Sequence, residues 1–159
     1  MAQIERKTNR YERKEPIEDR TAAVIAFENG ARYVLETDTP ATGIGSEVFI
    51  HGTAGMLRLA NYTELSRLSG SGWSPITPLP DTNQFDELLG WLRGQTEHRN
   101  AAVRSRQTIE LMLAIYESVR TRGVVELPLT NPANPLRQLI DGERLPLTDT
   151  EPYDIRLPN

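Results

Sequence analysis

Two β-prone runs, Ala22-Ala23-Val24-Ile25-Ala26-Phe27-Glu28 and Ala31-Arg32-Tyr33-Val34-Leu35-Glu36, flank Asn29-Gly30. Nothing else in the chain constrains the fold as tightly. Asn-Gly between such runs is the strongest short hairpin signal, because both turn residues must accept positive φ. A two-residue loop pairs Phe27 with Arg32, Ala26 with Tyr33, Ile25 with Val34 and Val24 with Leu35. One face then carries Val24, Ala26, Tyr33 and Leu35, and the other Ile25, Phe27, Arg32 and Val34. Neither face is polar. A sheet that is apolar on both faces needs cover on both.

The 159 residues suit one domain, or one domain with tails. There are 18 Lys and Arg against 22 Asp and Glu, a formal charge of −4. That balance argues against a general nucleic-acid binder, which shows a clustered basic excess. The absence of cysteine removes disulfides, zinc–thiolate sites, iron–sulfur clusters and cysteine nucleophiles. His51 and His98 are the only histidines, too few for a His-rich metal centre. No stretch approaches the ~20 apolar residues of a membrane span, and Met1 to Lys7 lack the apolar core of a signal peptide. The expected compartment is therefore the cytoplasm. Asn61-Tyr62-Thr63 fits the N-glycosylation pattern, which has no consequence without a secretory route.

Residues 1–20 alternate in charge sign and read as a solvated edge strand or extended arm. Residues 39–45 read as a loop. Glu47 to His51 and Met56 to Ala60 read as strands around the tight turn Gly52-Thr53-Ala54-Gly55, with Glu64 to Leu68 as a further strand. Residues 69–82, rich in proline, glycine and serine, read as a surface connection. The period then changes. Phe85, Leu88, Leu89 and Leu92 make the stripe of an amphipathic helix, capped by Asp81 or Thr82 and ended by Gly94. A longer helix runs from about Asn100 to Arg122, with Ile109, Met112, Leu113, Tyr116 and Val119 as its buried stripe and Gly123 as its stop. Val124 to Leu127 reads as a short strand closed by Pro128. Asn134 caps a short helix with Pro135 at its first position and Gly142 at its end, and a Pro-rich tail follows. Strands, then helices, then one more strand give an α+β fold: a largely antiparallel open sheet with helices on one face and no Rossmann domain. The expected division is a domain over 1–129 and a C-terminal short helix and tail over 130–159.

Self-contained chemistry is sparse. Gly43-Ile44-Gly45 starts like a dinucleotide fingerprint, but Val48 stands where a third small residue belongs, and a strand follows where a helix is needed. Gly70-Ser71-Gly72 fails for the same reason, and no phosphate-loop Gly-Lys-Ser/Thr exists. No Gly-x-Ser-x-Gly accompanies His51 or His98, so both read as surface or structural histidines. Glu110 and Glu117 lie two turns apart on one helix face and read as solvated charges. They could do acid–base work only in a shielded pocket. Arg99, Arg104 and Arg106 read as surface ion pairs. Trp91, after a leucine pair, is expected in the core, and Trp73 in its loop as an anchor. No catalytic, cofactor-binding or metal-binding residue is assigned.

Four stretches in order carry a resemblance. They are Ile17-Glu18-Asp19-Arg20-Thr21-Ala22 through Ala31; Ile50-His51-Gly52-Thr53-Ala54-Gly55-Met56-Leu57-Arg58-Leu59; Phe85-Asp86-Glu87-Leu88-Leu89-Gly90-Trp91-Leu92-Arg93-Gly94; and Glu110 to Ser118 with Gly123-Val124-Val125-Glu126-Leu127-Pro128-Leu129. Together they resemble the C-terminal domain of the Gfo/Idh/MocA oxidoreductases, which include glucose–fructose oxidoreductase and inositol dehydrogenase. The resemblance implies the substrate-binding and oligomerisation portion of an NAD(P)-dependent oxidoreductase of sugars, polyols or related compounds. NAD or NADP would sit on a Rossmann domain this sequence lacks, and no cofactor is expected in this chain itself. The sequence also lacks the family's Glu-Lys-Pro motif. Lys14-Glu15-Pro16 has those letters in another order, and no role is carried onto it. The chain is expected to be inactive alone, as the back portion of a longer enzyme. The expected partners are a second copy through the open sheet face, or the missing Rossmann domain, with a small carbohydrate-like ligand and neither nucleic acid nor membrane. The alternative is a stand-alone, non-catalytic dimeric binding module derived from that domain.

Overall fold

A computed structural model of the chain describes residues 1–13, 15–38, 46–77 and 83–155. Its strands are β1 (Ala2–Glu5), β2 (Thr8–Glu12), β3 (Glu15–Pro16), β4 (Arg20–Ala26), β5 (Arg32–Asp38), β6 (Glu47–Gly52), β7 (Gly55–Ala60), β8 (Glu64–Ser69) and β9 (Gly72–Pro75). The helices α1 (Gln84–Leu92), α2 (Ala102–Thr121) and α3 (Pro135–Asp141) follow, and β10 (Asp149–Asp154) comes last. The class is α+β with mostly antiparallel pairing. The single open sheet expected from the sequence is replaced by three: β1-β4-β5, β10-β2-β3 and β6-β7-β8-β9. The chain divides into two compact units, Met1–Pro40 with Asn100–Asn159, and Ala41–Arg99.

In the first unit the hairpin forms, with a register one residue from expectation. Ala26 faces Arg32, Ile25 faces Tyr33, Val24 faces Val34 and Ala23 faces Leu35. The loop is longer than two residues because Gly30 N–H donates to Phe27 O at 2.9 Å and Phe27 N–H donates to Ala31 O at 2.9 Å. Only Gly30 takes positive φ there, at +84°, so the turn is not one that needs both Asn29 and Gly30 left-handed. One residue of slip sorts every side chain anew. Thr21, Ala23, Ile25 and Leu35 now share the covered face, and Val24 and Val34 share the exposed one.

Helix α2 packs on β1 and α3. The core gathers Ile4 of β1, Tyr116 of α2, and Leu136 and Leu139 of α3, with Leu113, Val119, Ile140 and Leu145 against it. Of the stripe expected on α2, Tyr116 is buried, Leu113 and Val119 are half-buried, and Ile109 and Met112 are exposed. The helix ends at Thr121, one residue short of the expected Arg122, which is left-handed at φ 57°. Val124 to Leu127 form no strand; the Leu127–Pro128 peptide bond is cis. Helix α3 starts as expected: Asn134 Oδ1 accepts from Leu136 and Arg137 N–H, Pro135 takes the first turn, and Gly142 follows the last. Residues beyond it are not only a tail, since β10 pairs in parallel with β2. Arg156 to Asn159 lie outside the described residues.

In the second unit β6 to β9 form an antiparallel meander with the two-residue connections Thr53-Ala54 and Gly70-Ser71. The surface connection expected over 69–82 therefore includes a strand, β9. Asn83 caps α1, its Oδ1 accepting from Phe85 N–H at 3.0 Å. The caps expected from the sequence, Asp81 and Thr82, lie outside the described residues, as does the loop 39–45. Gly94, at φ +70°, turns the chain after α1, its N–H donating to Trp91 O.

Candidate functional site

The first unit holds a cleft of about 610 Å³ lined by Glu5, Lys7, Thr8, Asn9, Arg10, Asp19, Arg20, Asp38, Asp149, Glu151 and Tyr153. Its wall is set by one carboxylate. Asp19 accepts from Lys7 N–H at 2.6 Å, Thr8 N–H at 2.7 Å and the Thr8 hydroxyl at 2.5 Å, and lies 3.5 Å from Arg10. Asp19 N–H in turn donates to Glu5 O. These bonds fold the link between β1 and β2 around the start of β4. Burial works against the charged carboxylate, but the Thr8 and Lys7 hydrogen bonds and the Arg10 charge outweigh it and hold its pKa below the ordinary value.

Strand β10 supplies further lining. Its backbone is tied to β2 by Thr148 and Asp149 N–H, which both donate to Lys7 O, and by Ile155 N–H, which donates to Tyr11 O. The Asn9 amide adds a bond to Thr150 O at 2.8 Å. Asp149, Glu151 and Tyr153 alternate along the strand and all line the cleft. The cations are engaged: Lys7 with Glu5 at 2.8 Å, Arg20 with Glu36 at 2.8 Å, Arg10 with Asp19. Carboxylates outnumber cations five to three along the lining. With the Thr8 hydroxyl bonded to Asp19 and the Asn9 amide to Arg6 and Thr150, the lining leaves chiefly carboxylates and the Tyr153 side chain to a small polar molecule.

The residues singled out from the sequence do not meet in this cleft. His51 is exposed on β6, and His98 lies half-buried beyond α1. Arg99 pairs with Glu87, and Arg106 reaches Glu110 at 3.9 Å. Glu110 accepts from Leu129 N–H at 2.9 Å. Glu117 is not the solvated charge expected: it is buried, bonded twice by Arg120 and once by the Asn131 amide. The Arg120 hydrogen bonds lower its pKa, against burial and with help from Asn131. Trp91, expected in the core, is 48% exposed, and Trp73 tilts against Phe49 at 6.1 Å between ring centroids. Lys14 lies outside the described residues; Glu15 pairs with Arg137. The cleft residues gave no signal as a set, because they come from both ends of the chain.

A part-buried pair links α2 to the approach of β4. The Tyr116 hydroxyl donates to Glu18 Oε2 at 2.8 Å, and the Thr21 hydroxyl donates to Glu18 Oε1 at 3.1 Å. Burial, then the Glu18 charge and its hydrogen bond, push the Tyr116 pKa well above its ordinary value, so the phenol stays a donor. Among the described residues no group of His, Asp or Glu is arranged to hold a metal ion, and no helix is long and apolar enough to cross a membrane. The chain matches no protein-family model, no curated protein and no solved structure.

Proposed function

We propose that this chain is the substrate-binding and oligomerisation portion of an NAD(P)-dependent oxidoreductase that acts on sugars, polyols or related compounds, with the C-terminal-domain fold of the Gfo/Idh/MocA enzymes. The observation that carries the reading is the order of the four resembling stretches. The first lies on the β4–β5 hairpin, the second on β6–β7, the third on α1 and the fourth on α2 with the segment after it. The cleft beside β2 supports the substrate role, since its carboxylates and the Tyr153 side chain suit a hydroxylated ligand. The exposed apolar side chains support the assembly role. Val24 and Val34 stand on the open face of the hairpin, and Phe85, Leu89 and Leu92 on α1. Val24 and Val34 face each other across the strands, and adjoining exposed apolar groups can mark an interaction surface. The chemistry of hydride transfer belongs to a nicotinamide-binding domain that works beside this chain, and no residue here is given a catalytic role.

Titration of the ¹⁵N-labelled chain with a hexitol and, separately, with NADH tests the reading. The hexitol is expected to shift the amides of Asn9, Arg10 and Tyr153 saturably, and NADH to shift none. Tight NADH binding by this chain, or hexitol shifts that avoid the cleft, would count against it.

A further inference from the structure

Strand β5 is an edge of its sheet and pairs only with β4. Its seven residues run in register without a bulge, and all but Leu35 are exposed. The outer backbone groups of a long, flat edge are a template for another chain. Arg32, Val34 and Glu36 alternate onto the exposed face, with Val34 between the two charges and 71% exposed. The opposite charges stand at equal distances on either side of it. An antiparallel copy centred on Val34 sets Arg32 of each chain against Glu36 of the other, and Val34 against Val34. A parallel copy in register sets like charges together, which is unfavourable. Charges that elsewhere blunt an edge thus fit this edge to itself. Among the described residues Arg32 makes no ion pair, and Glu36 takes Arg20 on Oε1 alone. Val24 of β4, 54% exposed, stands opposite Val34 and extends the apolar row inward.

We propose that two copies of this chain join edge to edge through β5, antiparallel and two-fold about Val34, so that the two β1-β4-β5 sheets become one. The Val24–Val34 rows of the two copies meet end to end, and the paired Arg32 and Glu36 side chains fix the register. A two-fold contact of this kind is closed and makes a dimer, not a filament. The inference rests on the oligomerisation role proposed above, and it puts the contact at the sheet edge, not over the open face.

Charge reversal tests it. Arg32→Glu or Glu36→Arg alone sets like charges together at both ends of the seam, and is expected to weaken the dimer about tenfold in sedimentation equilibrium. Both side chains are exposed, and the Arg20 pair that Glu36→Arg gives up is a surface one. Mixing the two variants restores opposite charges at both ends, so a heterodimer of near-natural affinity is expected. Cross-linking gives a second reading that needs neither variant, because the natural chain has no cysteine. Val34→Cys is expected to link to its own copy under mild oxidation, since residues directly opposite in an antiparallel pair lie within disulfide reach. Val24→Cys is expected not to, because its two copies lie three strand spacings apart, ~14 Å. Single variants that dimerise as the natural chain does, a mixture no tighter than either alone, or cross-linking of Val24→Cys would overturn the edge pairing and leave the oligomerisation role standing. A natural chain that is monomeric throughout the micromolar range would overturn both.

Discussion

The two compact units differ in what they do with apolar side chains. The first buries Ile4, Tyr116, Leu136 and Leu139 between β1, α2 and α3, with Leu139 only 1% exposed. The second, among its described residues, buries only Ala60, and leaves Phe49, Ile50, Phe85, Leu89 and Leu92 exposed. The pairing of β6 to β9 satisfies the inner backbone groups of that meander and leaves β6 and β9 as its edges. Hydrogen bonds alone contribute little net stability, and apolar burial supplies most of what holds a domain together. The first unit thus has a core of its own, while Val24 and Val34 stay exposed on its hairpin. The second, among its described residues, leaves most of its apolar side chains exposed.

Matched truncations should separate the units. Leu139→Ala removes a fully enclosed side chain and is expected to cost about 2–5 kcal/mol in urea unfolding. Leu92→Ala, the same chemical change on α1, is expected to stay within about 0.5 kcal/mol for the dissociated chain. Equal losses at the two sites would break the contrast.

Asp19→Asn comes next, at about 1–3 kcal/mol, because it weakens acceptors for the Lys7 and Thr8 donors. The pH dependence follows from the sign of the shift. The folded pKa of Asp19 lies below its unfolded value, so its contribution is present above the ordinary carboxylate range. It is lost as pH falls through that range toward the folded pKa. Urea midpoints measured as pH falls from neutral should therefore drop less steeply for the variant than for the natural chain.

The smallest expected effect is at the α1 cap. Asn83→Ala removes the acceptor for Phe85 N–H and should cost about 1 kcal/mol of helix stability, read as faster amide exchange confined to α1. Exchange that accelerates across the first unit as well would show the two units to be one cooperative body.

The same contrast explains what the sequence disclosed. Local signals were legible: the β4–β5 and β6–β7 hairpins, the α1 stripe, and the Asn134-Pro135 start of α3. The hairpin register was not, because a loop with Gly30 alone left-handed is indistinguishable by residue type from the two-residue turn that Asn-Gly favours. Strand β10 was hidden because Asp149, Glu151, Pro152 and Asp154 are poor strand formers. Backbone bonds to Lys7 and Tyr11 recruit it from the far end of the chain. Glu117 looked solvated because its partner Asn131 lies beyond the helix. The cleft failed to announce itself for the same reason: β2 and β10 are distant in sequence and adjacent only once folded.

The most direct measurement is sedimentation velocity of the natural chain across the micromolar range, beside a Val34→Ser, Leu92→Ser variant. Both positions are exposed, so the substitutions should leave the fold of the chain intact. If the exposed apolar faces are built for assembly, the natural chain sediments as a dimer or larger and the variant shifts toward monomer. A natural chain that stays monomeric throughout the range would contradict the oligomerisation role.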